Sequence, residues 1–273
     1  MPPVSQGGTQ KRIKIMDKKV LLISIDGMRP DGLKASGNPY LKKLEELCAY
    51  TYSASSMVPS VTFPCHFSMT HSVTPQRHGI LTNTYVPQVR PVKGLFEKIK
   101  EAGGVCAMFY GWDPLRDIAL PTALKIATYI NAYMEESADT AITDACERAI
   151  ERYKPDFAFL YMVDTDEKGG HDNGWMSEEY LRRISIAVDN VKRMIDRFGD
   201  EYRVIIMSDH GGHDRSHGST MPEDMTIPLF FYGPEFTPGE IKDRELSLLD
   251  IAPTVTAVLG IAPDPEWEGR SLI

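Results

Sequence analysis

Residues 208–218 read SDHGGHDRSHG, so Asp209, His210, His213, Asp214 and His217 fall within eleven positions, with no large apolar side chain among them. A hydrophobic core gains nothing from such a stretch, whereas a divalent cation would. Imidazole and carboxylate without thiolate suit zinc, with manganese or iron as the alternatives. Two other segments end in the same chemistry. ISID closes on Asp26, and YMVDTDEKGGH carries Asp164, Asp166 and His171. Taken singly, an Asp after an apolar run is an ordinary cap or turn former, and a lone His is more often structural than a ligand. The same coincidence at three apolar runs, together with His217, points instead to shared cation binding, because carboxylates brought together without a cation repel one another.

A nucleophile is available nearby in the sequence. PSVTFPCHFSMTHSVTPQRHG, residues 59–79, sets Thr62 just before Phe63 and Pro64 and a helix-compatible run. The pattern predicts Thr62 as the N-cap of a helix with Pro in its first turn. A helix start also presents free N–H groups and a positive dipole end to an anion such as a phosphoryl group. A free Thr hydroxyl is a weak nucleophile, and a coordinating cation would activate it. Alone, Thr62 reads as a plain cap. Beside a metal cluster it reads as a reacting group.

These residues can cooperate only if the chain folds them to one place. Apolar runs at 20–26, 105–111, 157–164, 203–209 and 227–233 read as strands, and the stretches 40–50, 94–103, 137–153, 177–198 and 248–260 read as helices, with Ser137 as the cap of the third. Strands alternating with helices predict an α/β fold whose mostly parallel central sheet is flanked by helices on both faces. Ligands in such sheets sit at the carboxyl ends of the strands, where Asp26, Asp164, Asp166 and Asp209 would stand. The sequence contains no GxGxxG and no Walker loop, which argues against a nucleotide-fold dehydrogenase or a P-loop NTPase. With 273 residues, 42% of them hydrophobic, the chain has enough apolar side chains for a large core. A net charge of −8 argues against a general nucleic-acid-binding surface and a stable nucleic-acid complex. No apolar run reaches membrane-spanning length, the N-terminus has no signal-like apolar core, and Cys48, Cys65, Cys106 and Cys146 form no CxxC pair. The expectation is a cytoplasmic protein with reduced thiols and no membrane association. Residues 1–15 are polar and patternless and are expected to be a tail, with residues 16–273 forming one catalytic domain.

Several blocks then resemble the alkaline phosphatase superfamily and, within it, the type I phosphodiesterase / nucleotide pyrophosphatase family. They are IDGMRPDGL (25–33), TFPCHFSMTHSVTPQRHGI (62–80), LTNTY (81–85), DEKGGH (166–171), SDHGGH (208–213) and HGSTMPEDMTIPLFFYGP (217–234), followed by LLDIAPTVTAVLGI (248–261) and EGRSL (268–272). The resemblance implies a hydrolase of phosphodiesters or pyrophosphates that holds two divalent metal ions, zinc first among them, and takes a small phosphoester substrate that could be a nucleotide. Asp26, Thr62, Asp209 and His210 would serve the metal that activates the nucleophile, and Asp166, His171 and His217 the second. Thr62 would attack phosphorus. The Asn83 amide and the Phe63 backbone N–H would donate to phosphoryl oxygens. His213 has no ligand role in the family pattern and is expected beside the ligands or at the surface.

The chain departs from the family pattern in one place. The usual four-residue spacing of the second-site Asp and His is five here, from Asp166 to His171, which leaves Asp164 as a rival ligand. The resemblance favours Asp166, which stands at the family's distance from Tyr161 in the preceding strand. Within the superfamily, a phosphonate hydrolase or phosphomonoesterase is the nearest alternative. A sulfatase would need Cys65 in a CxPxR-type context that FPCHF does not provide. A non-catalytic metal-binding protein is the alternative from a different class. Specificity is expected from loops 84–93 and 112–136, which carry Tyr85, Trp112 and Tyr129.

Overall fold

The computed structural model describes residues 16–273; the expected polar tail, residues 1–15, lies outside them. Eight strands form one sheet: β1 (Lys19–Ile25), β2 (Cys48–Ser55), β3 (Cys106–Tyr110), β4 (Leu124–Tyr129), β5 (Phe157–Met162), β6 (Tyr202–Met207), β7 (Thr226–Tyr232) and β8 (Gly239–Glu240). Their spatial order is β4-β3-β5-β1-β6-β7-β2-β8. The five strands from β4 to β6 run parallel, and β7 is antiparallel to both β6 and β2. The helices are α1 (Pro30–Ala35), α2 (Tyr40–Leu47), α3 (Thr62–His71), α4 (Pro75–His78), α5 (Leu95–Glu101), α6 (Ala138–Tyr153), α7 (Glu178–Phe198), α8 (Pro222–Met225) and α9 (Ile251–Leu259).

Because successive strand residues face opposite sides, β1 feeds two cores. Val20 and Leu22 pack with Phe63, Phe67, Phe96 and Val255 of α3, α5 and α9. Leu21, Ile23 and Ile25 pack with Ile142, Ile184 and Val188 of α6 and α7. Helices on both faces leave the middle strands buried throughout, which is why β5 reads as an unbroken apolar run. This is the predicted α/β architecture. None of the described helices is long and apolar enough to cross a membrane.

Several local expectations change. The helix predicted over 40–50 stops at Leu47, and Cys48–Tyr50 begin β2. There β7 offers a ladder of partners and Tyr50 stacks on Phe230, so tertiary pairing outweighs the helical periodicity. β4 lies within a segment read as loop. It is an edge strand with alternate residues exposed, so it lacks the apolar run that marks the buried strands. Ser137 precedes α6 without a side-chain cap bond; Ser177 does cap α7, accepting from the Tyr180 N–H.

The topology places the chemistry. β5, β1 and β6 are adjacent and parallel, with Ser24 paired to both Tyr161 and Met207. Asp26 and Asp209 therefore leave the sheet two residues beyond one shared rung, and the segment after β5 leaves beside them.

Candidate active site

Two groups of ligand-type residues gather at this edge: Asp26, Asp209 and His210 in one, and Asp166, His171 and His217 in the other. In the first group, His210 Nε2 lies 3.3 Å from both Asp26 Oδ1 and Asp209 Oδ2. In the second, His171 Nε2 is 3.4 Å from Asp166 Oδ2, and His217 Nε2 is 3.9 Å from Asp166 Oδ1. The rings of His210 and His217 stack at 3.9 Å, which joins the groups. Gly27, at φ +66°, lets the two chains meet, since a Cβ there would sit 2.7 Å from Asp166 Oδ1.

All three histidines are oriented alike. Nδ1 faces a backbone carbonyl in each: Gly211 for His210 at 2.7 Å, Arg215 for His171 at 3.0 Å and Ser60 for His217 at 2.8 Å. A carbonyl only accepts, so Nδ1 carries the proton and Nε2 turns its lone pair inward, as a metal-ligating imidazole must. The carboxylates fit the same role. Asp26 Oδ1, Asp209 Oδ2 and Asp166 Oδ1 are buried without a hydrogen-bond partner among the described residues. Burial first, then neighbouring acidic charge, pushes the pKa of all three well above the usual carboxylate range. Burial likewise drives His210 well below its ordinary value and lowers His217. Carboxylate and imidazole lone pairs converge here, answered at His210 Nε2 by the Thr62 hydroxyl and at the three carboxylate oxygens by no donor among the described residues, a donor set suited to divalent cations.

The five-residue gap between Asp166 and His171 has a structural cause. Thr165–His171 form a π-helical turn, closed by the Asp172 N–H donating to the Glu167 carbonyl five residues back. The wider turn absorbs the extra residue and returns His171 to the face of Asp166. Asp164, the rival, precedes that turn. Its carboxylate lies 2.9 Å from Lys168 Nζ and 3.5 Å from Arg183 Nη1, outside both groups.

Thr62 is the first residue of α3 rather than its cap, which is Val61, and no side chain caps this helix. The hydroxyl is therefore free of capping work and lies 3.1 Å from His210 Nε2. Asn83 sits on an exposed loop but is held by the Phe63 N–H, which donates to its Oδ1 at 3.0 Å. The expectation of two parallel donors changes accordingly. The Phe63 N–H is occupied in orienting Asn83, and the amide NH2 is the donor left for a ligand. A cleft of about 190 Å³ opens over Asp26, Thr62, Asn83, Asp166, His171 and His217, and Trp112, Tyr133 and Glu167 also line it. Of the loop aromatics expected to set specificity, Trp112 lines this cleft. Tyr85 lines a separate hollow, and Tyr129 packs on Tyr110. His213 belongs to neither group. It pairs with Asp224 at 2.7 Å, and that hydrogen bond raises its pKa. Cys65 is fully buried against Ser56, and burial pushes its thiol up to about 12.

Sequence reasoning missed the supports around the ligands. The Tyr161 hydroxyl donates to Asp26 Oδ2. His66, also fully buried, lies 2.9 Å from the Ser24 hydroxyl, 2.8 Å from the Thr62 carbonyl and 3.3 Å from Asp209 Oδ2. Tyr133, whose hydroxyl contacts Glu167 at 3.3 Å, was also overlooked. A His four residues after a Thr in a helix was a readable signal for the Thr62 contact; the others required the fold.

A parallel-centred α/β sheet with two cation-type ligand groups at its carboxyl edge defines a chain of the alkaline-phosphatase-like class. Residues 20–223 match the type I phosphodiesterase / nucleotide pyrophosphatase family, and the chain belongs to that family. It is 27% identical over 222 residues to mouse (Mus musculus) ectonucleotide pyrophosphatase/phosphodiesterase family member 1, a match covering 70% of this chain and 24% of that protein. The chain thus spans about a quarter of that relative. Among solved structures, murine ectonucleotide pyrophosphatase / phosphodiesterase 5, as an inactive threonine-to-alanine variant in complex with AMP, superposes with a TM-score of 0.76 at 14% identity, covering 91% of this chain and 96% of that one. A phosphonate monoester hydrolase from Silicibacter pomeroyi reaches 0.73 at 16% identity, covering 93% and 76%. Both are likenesses of fold.

Proposed function

We propose that this chain is a metal-dependent hydrolase of phosphodiester or pyrophosphate bonds in small substrates, nucleotides among them, with Thr62 as nucleophile and two zinc-type ions. The carrying observation is the Thr62 hydroxyl, uncommitted to its helix and 3.1 Å from His210, at the junction of the two ligand groups. Asp26, Asp209 and His210, with Thr62 itself, would hold one ion, and Asp166, His171 and His217 the other. Bound divalent cations would lower the pKa of the Thr62 hydroxyl and offset charge on the phosphoryl oxygens. Thr62 Oγ1 attacks phosphorus, the bond to the leaving alcohol or phosphate breaks, and water hydrolyses the resulting Thr62 phosphoester. The Asn83 amide, held by the Phe63 N–H, donates to a non-bridging oxygen as charge builds there. Trp112 and Tyr133 present ring surface to whatever the phosphorus carries.

Two features of the mouse neighbour support this reading: a threonine-to-alanine change accompanies its inactive state, and its structure holds AMP. The deciding experiment measures initial rates on a nitrophenyl phosphodiester, a nitrophenyl phosphate monoester and an aryl phosphonate after dialysis against zinc, with metal content read by elemental analysis. The diester is expected to be fastest, with about two ions per chain. A faster phosphonate or monoester would move the chain to that alternative, and bound metal with no turnover on any of the three would make it a binding protein.

A further inference from the structure

The first ligand group comes from three elements that share no local contact in sequence: β1 supplies Asp26, the end of β6 supplies Asp209 and His210, and α3 supplies Thr62. One side chain touches all three. His66, one helical turn beyond Thr62, is fully buried and has no access to the cleft. Its Nδ1 faces two acceptors, the Thr62 carbonyl at 2.8 Å and Asp209 Oδ2 at 3.3 Å, so Nδ1 carries the hydrogen. The short contact to Thr62 is the hydrogen bond. The longer one is too poorly aligned to satisfy Asp209 Oδ2, and it sets the N–H dipole against that carboxylate. With the proton on Nδ1, Nε2 accepts from the Ser24 hydroxyl at 2.9 Å, two residues before Asp26 on β1. The ring edge also abuts Tyr161, at 5.1 Å between centroids and 84°, and Tyr161 donates to Asp26.

We propose that His66 is a positioning residue for the reacting centre: it fixes the Thr62 turn against Asp209 and the end of β1, so that the nucleophile and its cation ligands keep one geometry. A histidine that only filled space here would have no need of two oppositely polarised nitrogens. This one uses both, and each contact leads to a different member of the group. The Thr62 carbonyl, which only accepts, sets the tautomer; the Ser24 hydroxyl follows by donating to Nε2, and the Nδ1–H that results pins the backbone from which the Thr62 hydroxyl projects.

The inference rests on the nucleophile reading above, and its test keeps the two separable by measuring zinc affinity as well as turnover. His66→Phe retains an aromatic ring and loses both polar contacts. His66→Asn can place an amide N–H near the Nδ1 position, and His66→Gln places its amide near Nε2 instead. Competition with a chelator is expected to show one zinc site weakened about 10–100-fold in the Phe and Gln variants, the usual cost of losing a ligand-orienting partner, with the other site unchanged. Turnover should fall over a similar range with KM changed little, and Asn should recover part of both losses. Phe with zinc affinity and kcat within about twofold of the parent, or Gln recovering as well as Asn, would overturn the assignment. If the Phe variant does not fold, Ser24→Ala serves in its place. It leaves the ring and removes only the hydroxyl that ties Nε2 to β1, and a few-fold loss of kcat and of affinity at one site is expected; no change in either would equally overturn the proposal. If the parent binds two zinc ions but hydrolyses none of the test substrates, the nucleophile reading fails while the affinity measurements still decide the role of His66.

Discussion

The two ligand groups stand side by side yet are built differently. Asp26, Asp209 and His210 follow directly from β1 and β6 and are at most 1% exposed. Asp166, His171 and His217 come from a π-helical turn and a long loop, and the His171 side chain is 35% exposed. The deep group inherits its geometry from two paired parallel strands, among the last parts of a sheet to open. The outer group depends on irregular backbone held by specific contacts, such as the His217–Ser60 bond. One candidate site therefore combines a fully buried half with a half open to solvent, and the proposed cation would offset a larger burial cost in the first.

The largest effect is expected at the deep group. Thr62→Ala should lower kcat by several orders of magnitude, with both ions still bound by elemental analysis. Because Thr62 does not cap α3, its melting temperature should stay close to the parent value rather than show the loss of about 1 kcal/mol that a missing cap brings. Thr62→Ser should retain measurable turnover. Near-normal turnover in the Ala variant would end the nucleophile assignment.

Metal removal should separate the halves next. Titration with a chelator is expected to release the outer ion first, through a species with one ion per chain. Concerted loss of both ions would show that exposure does not govern their release.

The aspartate pair gives a smaller effect with opposite signs. Asp166→Ala should abolish one metal site and leave the metal-free protein as stable as before or slightly more so, since it deletes a buried carboxylate oxygen that has no partner. Asp164→Ala should keep both metal sites and cost about 1–3 kcal/mol, because buried Arg183 and Lys168 each lose a carboxylate. Denaturant melts and metal counts on the two variants check this, and the reverse ranking of metal content would make Asp164 the ligand.

Smallest near neutral pH is a titration effect outside both groups. Burial lowers His71 to about 3 and His78 to about 4, from an ordinary 6.5. The unfolded chain therefore binds more protons below pH 6.5, and stability is lost as pH falls from there through the folded values. Without zinc that limb follows the buried histidines; with zinc it should steepen, because protons then also compete with the cations for their ligands. The raised carboxylates act in the other direction: in metal-free protein they hold protons in the folded state, so stability falls as pH rises through their folded pKa values, and zinc should remove that decline. Melting temperatures across pH with zinc and with chelator test both limbs, and a decline starting above the ordinary carboxylate range that persists in excess zinc would contradict it.

Much of this was legible before folding. Asp26 and Asp209 each follow an apolar run, and a buried parallel strand announces both itself and its carboxyl end. The outer group was harder to read. Asp166 was favoured over Asp164 on family spacing alone, and the physical reason appears only in the backbone, which pairs one with Lys168 at helical spacing and turns the other to His171 across a wider turn. β2 and β4 were hidden because β2 begins inside the run read as helix and carries no long apolar stretch, while β4 has alternate residues exposed, so each depends on its neighbour for definition. Thr62 looked like a cap because Ser, Thr and Asp caps are common, and only the geometry shows Val61 in that place. His66 and Tyr161 were given no role from the sequence, because their polar partners lie 42 and 135 residues away.

The π turn also bears on how relatives of this chain are sought. A pattern that demands a fixed count between aspartate and histidine would skip it, although the two side chains arrive on one face. A helix that can widen by one residue without moving its ends tolerates a single-residue insertion in the midst of a reactive centre. Across distant members, the shared quantity to search for is then the angle at which two side chains project, and the gap between their letters is free to drift.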